Sequence, residues 1–346
     1  MRRIACLDIL LLVFIDLYPQ NIKVGTYYFD GWSGETPYKN SAFFRKHNTP
    51  THVTDKLYFD YAEREPIWGW RDDDLSIMHK QIELAADNRI DFFMFCWYYH
   101  GNNGHIDTIA IKNDPLNTSL ELFIKARNKH RLKFSVLIAN HEGYEINSEE
   151  EWIETIEYLS NHYFSDRQYL KIDNKPVTDF FTSAVAHKYI DRLREVVKKE
   201  GYTDLCYFSN GKFYADCDIN GWYNIREKEI GKSIERSYDQ LVKYVESCWW
   251  KSKDWNVVPV VMSGWDKRPW ELEEKTIYYT GRSPKSFGKH LEHAILNVHK
   301  CNPPIKIVMI YAWNELGEGG YIIPTKGDPH GAYIKQIKKV RNKLHL

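Results

Sequence analysis

The sequence predicts a (β/α)8 barrel, irregular around strands five and six, from two observations. Eight short apolar runs recur along the 346 residues, at 23–30, 91–99, 132–140, 176–181, 205–210, 221–225, 257–263 and 305–313. Stretches with helical spacing lie between most of them, and several runs are almost continuously apolar, as parallel strands covered on both faces must be. A third observation weighs against the rival doubly wound sheet: no G-x-G-x-x-G follows the first run. One such barrel occupies roughly 250 residues and grows with insertions. No repeat or linker divides the chain, so residues 21–346 read as one barrel domain.

Ahead of the first strand stands Met1-Arg2-Arg3, then a stretch to Ile15 that is apolar except for Asp8. Two arginines before an apolar run have the form of a secretory signal, so 1–20 reads as a signal peptide and the mature chain as secreted or periplasmic. The alternative is a buried lead-in to strand one of a cytoplasmic protein. The run is too short and interrupted to span a bilayer, so no stable membrane span is expected. After strand one, Met78, Ile82 and Ala86 recur at helical spacing. Ala186, Ile190, Leu193 and Val197 do so after strand four, and Tyr238, Leu241, Val245 and Trp249 after strand six. Phe287, Leu291, Ala294 and Val298 mark the helix after strand seven. Thr118, Ser148 and Ser283 stand where helices need N-caps. The connection 211–220 is too short for a covering helix, which makes the barrel irregular there. Two long connections, 31–72 and 264–281, follow strands one and seven, and so belong on the C-terminal face where barrels carry their active sites.

Composition narrows the function. The 47 Lys and Arg balance 47 Asp and Glu, leaving no net field to gather phosphates, so nucleic acid is not an expected partner. A hydrophobic share of 43% is enough to build a large core and excludes a disordered chain. Six cysteines show no C-x-x-C spacing, which argues against a zinc knuckle or dithiol redox centre. Cys206 and Cys217 are candidates for pairing only if the chain is exported. His100, His105 and His141 lack H-x-H or H-E-x-x-H spacing, so neither metal nor other cofactor is expected. No G-x-S-x-G elbow points to a serine esterase.

The chemistry-bearing motif follows the last strand, where Asn314-Glu315-Leu316-Gly317-Glu318 is followed by Gly319-Gly320-Tyr321. In a turn or short helix, carboxylates three positions apart face the same side. Crowded carboxyls repel when both ionise, so one tends to hold a proton near neutral pH. A proton donor beside an ionised carboxylate is what glycosidic cleavage requires.

Other polar and aromatic residues stand at strand ends: Asp30 and Trp32, Tyr98 and His100, Asn140 and His141, Asn210, Tyr223, and Trp265, Asp266 and Arg268. With Asn314 and Tyr321 they form the candidate substrate-binding set. Flat rings offer apolar faces to sugar C–H groups, and the polar side chains offer hydrogen bonds to hydroxyls. Asp266 and Arg268 have an equal alternative, pairing with one another to brace their loop.

The run A-W-N-E-L-G-E-G-G-Y-I-I-P at 312–324 resembles the signature of glycoside hydrolase family 99-like, or WbsX-like, proteins. V-G-T-Y-Y-F-D-G-W at 24–32, Y-L-K-I-D-N-K-P-V at 169–177 and G-W-D-K-R-P at 264–269 carry the same resemblance across nearly the whole chain. It implies a metal-free (β/α)8 glycosidase acting on an oligo- or polysaccharide. Glu315 would be the base that deprotonates the sugar 2-hydroxyl, Glu318 the acid/base at the leaving oxygen, and the outcome retention. Leu316 and Gly317 stand where family 99 has an aromatic residue and a histidine, so mannose specificity is not implied. A glycosyltransferase of polysaccharide biosynthesis and a non-catalytic carbohydrate-binding barrel are the alternatives.

Overall fold

The computed structural model describes residues 21–34, 49–252, 256–271 and 275–346. The signal-like segment and Cys6 lie outside the described residues, as does part of the long connection after strand one.

Eight parallel strands form the barrel: β1 (Lys23–Tyr28), β2 (Phe92–Trp97), β3 (Lys133–Ile138), β4 (Lys175–Phe180), β5 (Cys206–Asn210), β6 (Ile219–Gly221), β7 (Val260–Met262) and β8 (Ile307–Tyr311). The sheet runs β7-β8-β1-β2-β3-β4-β5-β6, so the last strand pairs with the first, Lys23 opposite Ile307. The remaining seam, between β6 and β7, closes through one parallel bridge from Asn220 to Val257. All six residues of β2 are buried, as a strand packed on both faces requires.

Among the described residues, seven helices of eight residues or more cover the outside: α1 (Leu75–Asp87), α2 (Thr118–Lys125), α3 (Glu149–Leu159), α4 (Ile190–Lys199), α5 (Tyr238–Lys251), α6 (Pro284–Cys301) and α7 (Ala332–Lys343). Ser148 and Ser283 begin α3 and α6 with reciprocal capping boxes, and Pro284 takes the first position of α6, where its missing N–H costs nothing. Phe287, Leu291, Ala294 and Val298 form the buried stripe of α6. Thr118 is the first helical residue of α2 and not its cap. The cap position falls to Asn117, whose side chain is engaged instead by the backbone of Tyr98.

No helix forms within 211–218, so the expected irregularity is present. Strand six, however, lies at Ile219–Gly221 and not at 221–225. The side chain of Asn210 accepts the N–H of Tyr223 at 2.7 Å, which takes that backbone out of the ladder and turns 222–225 into the barrel mouth. Cys206 and Cys217 are separate buried thiols. Among the described residues no helix is long and apolar enough to cross a membrane.

Candidate active site

Directly after β8 the chain folds into a tight hairpin, with Asn314–Glu315 antiparallel to Gly320–Tyr321. Glu315 sits on its first arm and Glu318 in its turn, so the i, i+3 spacing brings both acids to one end of the barrel. Two glycines make the turn possible. Gly319 adopts φ +72°, and a Cβ there would press on Asp266. At Gly317 a Cβ would fall 1.9 Å from the Trp270 indole, which lies flat on the turn.

Each carboxyl has its own phenol. Tyr223 Oη donates to Glu315 Oε1, and Tyr311 Oη donates to Glu318 Oε2. Glu315 is buried, and its Oε2 has no hydrogen-bond partner among the described residues. Burial first, and the charge of Glu318 second, hold the Glu315 carboxyl well above the usual range. Glu318 keeps 14% exposure and lies 3.9 Å from Lys267 Nζ. Burial raises it too, against the Tyr311 hydrogen bond and the charges of Lys267 and Arg226. Both carboxyls are raised, and ionising one opposes ionising the other.

Inward-facing side chains brace this pair from below. Asp179 on β4 accepts from Tyr27 Oη at 3.1 Å and from Asn210 Nδ2 at 3.3 Å. Asn210 holds Tyr223 through its N–H, and Tyr27 also donates to the carbonyl of Trp222 at 3.3 Å. The Tyr27 and Tyr223 rings pack 4.7 Å apart. Burial raises Asp179 to about 8, so near neutrality it is largely the neutral acid.

The candidate residues divide into groups. Tyr223 touches Glu315, and Tyr98, whose hydroxyl lies in the field of Cys96 and Glu315, packs with His141 and Tyr144 at the same mouth. His100 is bound to Asp114 at 2.5 Å beside Tyr144. Asn140 exchanges hydrogen bonds with the backbone of Thr182, tying the end of β3 to that of β4. Asp30 is fully buried and accepts from Ser119 N at the start of α2 and from Ser33. Asn314 exchanges bonds with the backbone of Phe29, and Trp32 donates to the carbonyl of Asn314, so both fasten the hairpin to the end of β1. Trp265 is buried beneath the guanidinium of Arg226. Tyr321 lies under Arg282.

Asp266 and Arg268 do pair, and Arg64 joins them. Arg64 Nη2 reaches Asp266 Oδ2 at 2.6 Å, while its Nη1 donates to the carbonyls of Asp266 and Leu316. Burial opposes the Asp266 charge, but the Arg268 hydrogen bond and both guanidinium charges outweigh it, and its carboxyl stays below the usual range. A polar cavity of about 280 Å³ lies here, lined by Arg64, Asp266, Arg282 and the back of the hairpin, not by the two glutamates.

Arg64, Lys267, Trp270, Tyr311 and Asp179 are contributors that motif spacing does not single out. Arg64 and Trp270 sit in the two long connections, whose length and aromatic content are the only sequence signal for them. Tyr311 and Asp179 lie inside strands, where a continuous apolar run conceals which residues face inward.

A nearly closed parallel barrel with two carboxyls on a hairpin at the C-terminal end of its last strand defines the class: a (β/α)8 protein with the layout of a barrel enzyme. The chain belongs to the family described as Glycosyltransferase WbsX, whose model matches residues 29–337. Among solved structures it resembles the GH99 endo-alpha-mannosidase of Bacteroides thetaiotaomicron, at 15% identity and a TM-score of 0.62 over 93% of this chain and 97% of that one. A glycoside hydrolase-like protein aligns at 13% identity and a TM-score of 0.61, covering 92% and 93% of the two chains. At these identities the likeness establishes the (β/α)8 fold. No curated protein sequence matches the chain.

Proposed function

We propose that the chain is a glycoside hydrolase that cleaves glycosidic bonds in a poly- or oligosaccharide through Glu315 and Glu318. One observation carries the reading: two carboxyl groups share one hairpin, each held by its own tyrosine. The unpartnered Glu315 Oε2 calls for a donor, and a sugar hydroxyl supplies one. A hydroxyl donating to Glu315 favours its ionised form, and that charge in turn favours the protonated form of Glu318. Glu318 gives that proton to the leaving oxygen as the C–O bond breaks, and Glu315 takes the proton of the attacking hydroxyl. Water, deprotonated in turn by Glu318, then bonds to C1 as the bond from C1 to that hydroxyl oxygen breaks, and Glu315 returns its proton to the released oxygen. Tyr98, Tyr223, Arg226 and Lys267 lie about the pair, with His141 packed on Tyr98, and these are the first candidates for substrate contact. Asp30, Trp32, Asn140 and Asn314 act behind them as braces.

Leu316 is buried and Trp270 fills the space above Gly317, so nothing here assigns mannose. Leaving-group dependence tests the roles. Glu318→Ala should lose far less kcat/KM, which reports the bond-breaking step alone, on aryl glycosides with acidic phenols than on those with poor leaving groups, because only the latter need the proton. Equal losses across the series would remove Glu318 from the acid role. The family description favours a second reading, transfer from an activated sugar donor. Turnover of sugar nucleotides without hydrolysis of any glycan would establish it.

A further inference from the structure

On the outer wall of the barrel, where the missing helix leaves β5 beside the 211–218 connection, three different ligand types converge. We propose that His187, Asp216 and Cys217 form a binding site for one divalent transition-metal ion of the zinc type. Their donor atoms all lie within 4.8 Å of one another. His187 stands in the short turn His187–Tyr189 that leads into α4, and its ring is fixed by packing alone. It stacks on Tyr214 with centroids 3.5 Å apart and lies parallel to Tyr207 at 6.0 Å. Neither nitrogen makes a hydrogen bond among the described residues. Nε2 faces Asp216 Oδ1 at 3.8 Å, beyond hydrogen-bond reach, and Nδ1 is buried without a partner. Two ligands on a tetrahedral ion with bonds of ~2.0–2.3 Å span roughly 3.3–3.6 Å. Asp216, whose side chain is 52% exposed, is free to rotate and close the difference.

The donor set selects the metal. Thiolate and imidazole favour zinc or cobalt over magnesium and calcium, and three protein ligands leave a fourth position for water. Coordination requires the Cys217 thiol to give its proton to solvent, one per ion bound. Arg194 is the nearby opposing charge, and it is shared among the Asp216 carbonyl at 2.8 Å, Asp218 at 3.6 Å and Asp204 at 3.8 Å, while Lys175 pairs with Asp218 at 3.3 Å. A bound ion would staple the β5–β6 connection to the β4–α4 turn at the place where the barrel lacks a covering helix. The site is separate from the carboxyl pair and independent of the proposed activity.

The untagged full-length chain, stripped with chelator, should bind one equivalent of cobalt(II) with a thiolate charge-transfer band in the near ultraviolet. Zinc should displace the cobalt and raise Tm. His187→Ala should weaken zinc binding at least tenfold, and Cys217→Ser should abolish the charge-transfer band. Should the buried Cys217→Ser variant fail to fold, Asp216→Asn, at an exposed position, must weaken zinc binding at least tenfold. Cobalt binding without the band, or zinc affinity unchanged in His187→Ala or Asp216→Asn, would overturn the proposal.

Discussion

Glu315 has one oxygen on Tyr223 and the other without a partner among the described residues, and that asymmetry makes its protonation sensitive to a single hydroxyl. Donation from Tyr223 stabilises the ionised carboxylate, so its removal moves the carboxyl still higher. In Tyr223→Phe the acidic limb of the kcat/KM profile should therefore shift to higher pH, because a base must be ionised to act. Activity at neutral pH should drop roughly 10- to 100-fold, a hydrogen bond to a charged group being worth about 1.5–3 kcal/mol. A pH–rate series on one aryl glycoside measures both, and an unmoved limb would detach Tyr223 from Glu315. The two glutamates are legible in the sequence because they follow directly on an apolar strand. Their tyrosines are harder to find. Tyr311 lies within the β8 run, and Tyr223 reaches Glu315 only because Asn210 turns the backbone after β6.

The hairpin that carries both acids is held as a unit from three sides. Trp270 covers Gly317 and donates through Nε1 to the carbonyl of His52 at 2.9 Å. Arg64 holds the Leu316 carbonyl, and Trp32 holds that of Asn314. Adding one methyl at Gly317 drives the indole off the turn, so Gly317→Ala should cost about 1–3 kcal/mol of stability by overpacking and should lower kcat as Glu318 is displaced. Thermal unfolding and kinetics report the two effects, and Gly317→Ala/Trp270→Leu should recover part of each. A Gly317→Ala variant with unchanged Tm and kcat would show that Trp270 does not set the turn. Most barrel strands are legible as elements because long apolar runs show them directly. Strand six escapes because three residues carry no periodicity, while the alternation at 222–225 imitates a strand that the mouth uses as a turn.

Across the whole molecule, buried acids make stability depend on pH. Burial raises Asp179 to about 8 and Asp72 to about 7 in the folded chain, against about 3.9 for an unfolded aspartate. A group raised on folding contributes stability that is complete below its unfolded value and is lost as pH climbs to its folded one. Tm should therefore decline between about pH 4 and about pH 8. Asp179→Asn should flatten that decline, leaving the part due to Asp72 and to Asp30, which burial and the Asp72 charge also raise. An unchanged slope would mean that Asp179 is ionised in the folded chain. Aromatic residues make up 15% of the chain. Many of those rings prove structural: Trp32, Trp97, Trp152, Trp265 and Trp313 are all fully buried. Charge balance over the chain also hides the local pairing of Lys267 with Glu318 and the clustering of Arg64 and Arg268 on Asp266.

The central claim, that Glu315 and Glu318 cleave glycosidic bonds, meets its most direct test in reducing ends released from a panel of polysaccharides by the native chain and by Glu318→Gln, with circular dichroism confirming an intact fold. The account predicts release by the native chain on at least one glycan and a rate in Glu318→Gln lower by roughly 10²- to 10⁴-fold. Equal release by the two proteins would contradict it.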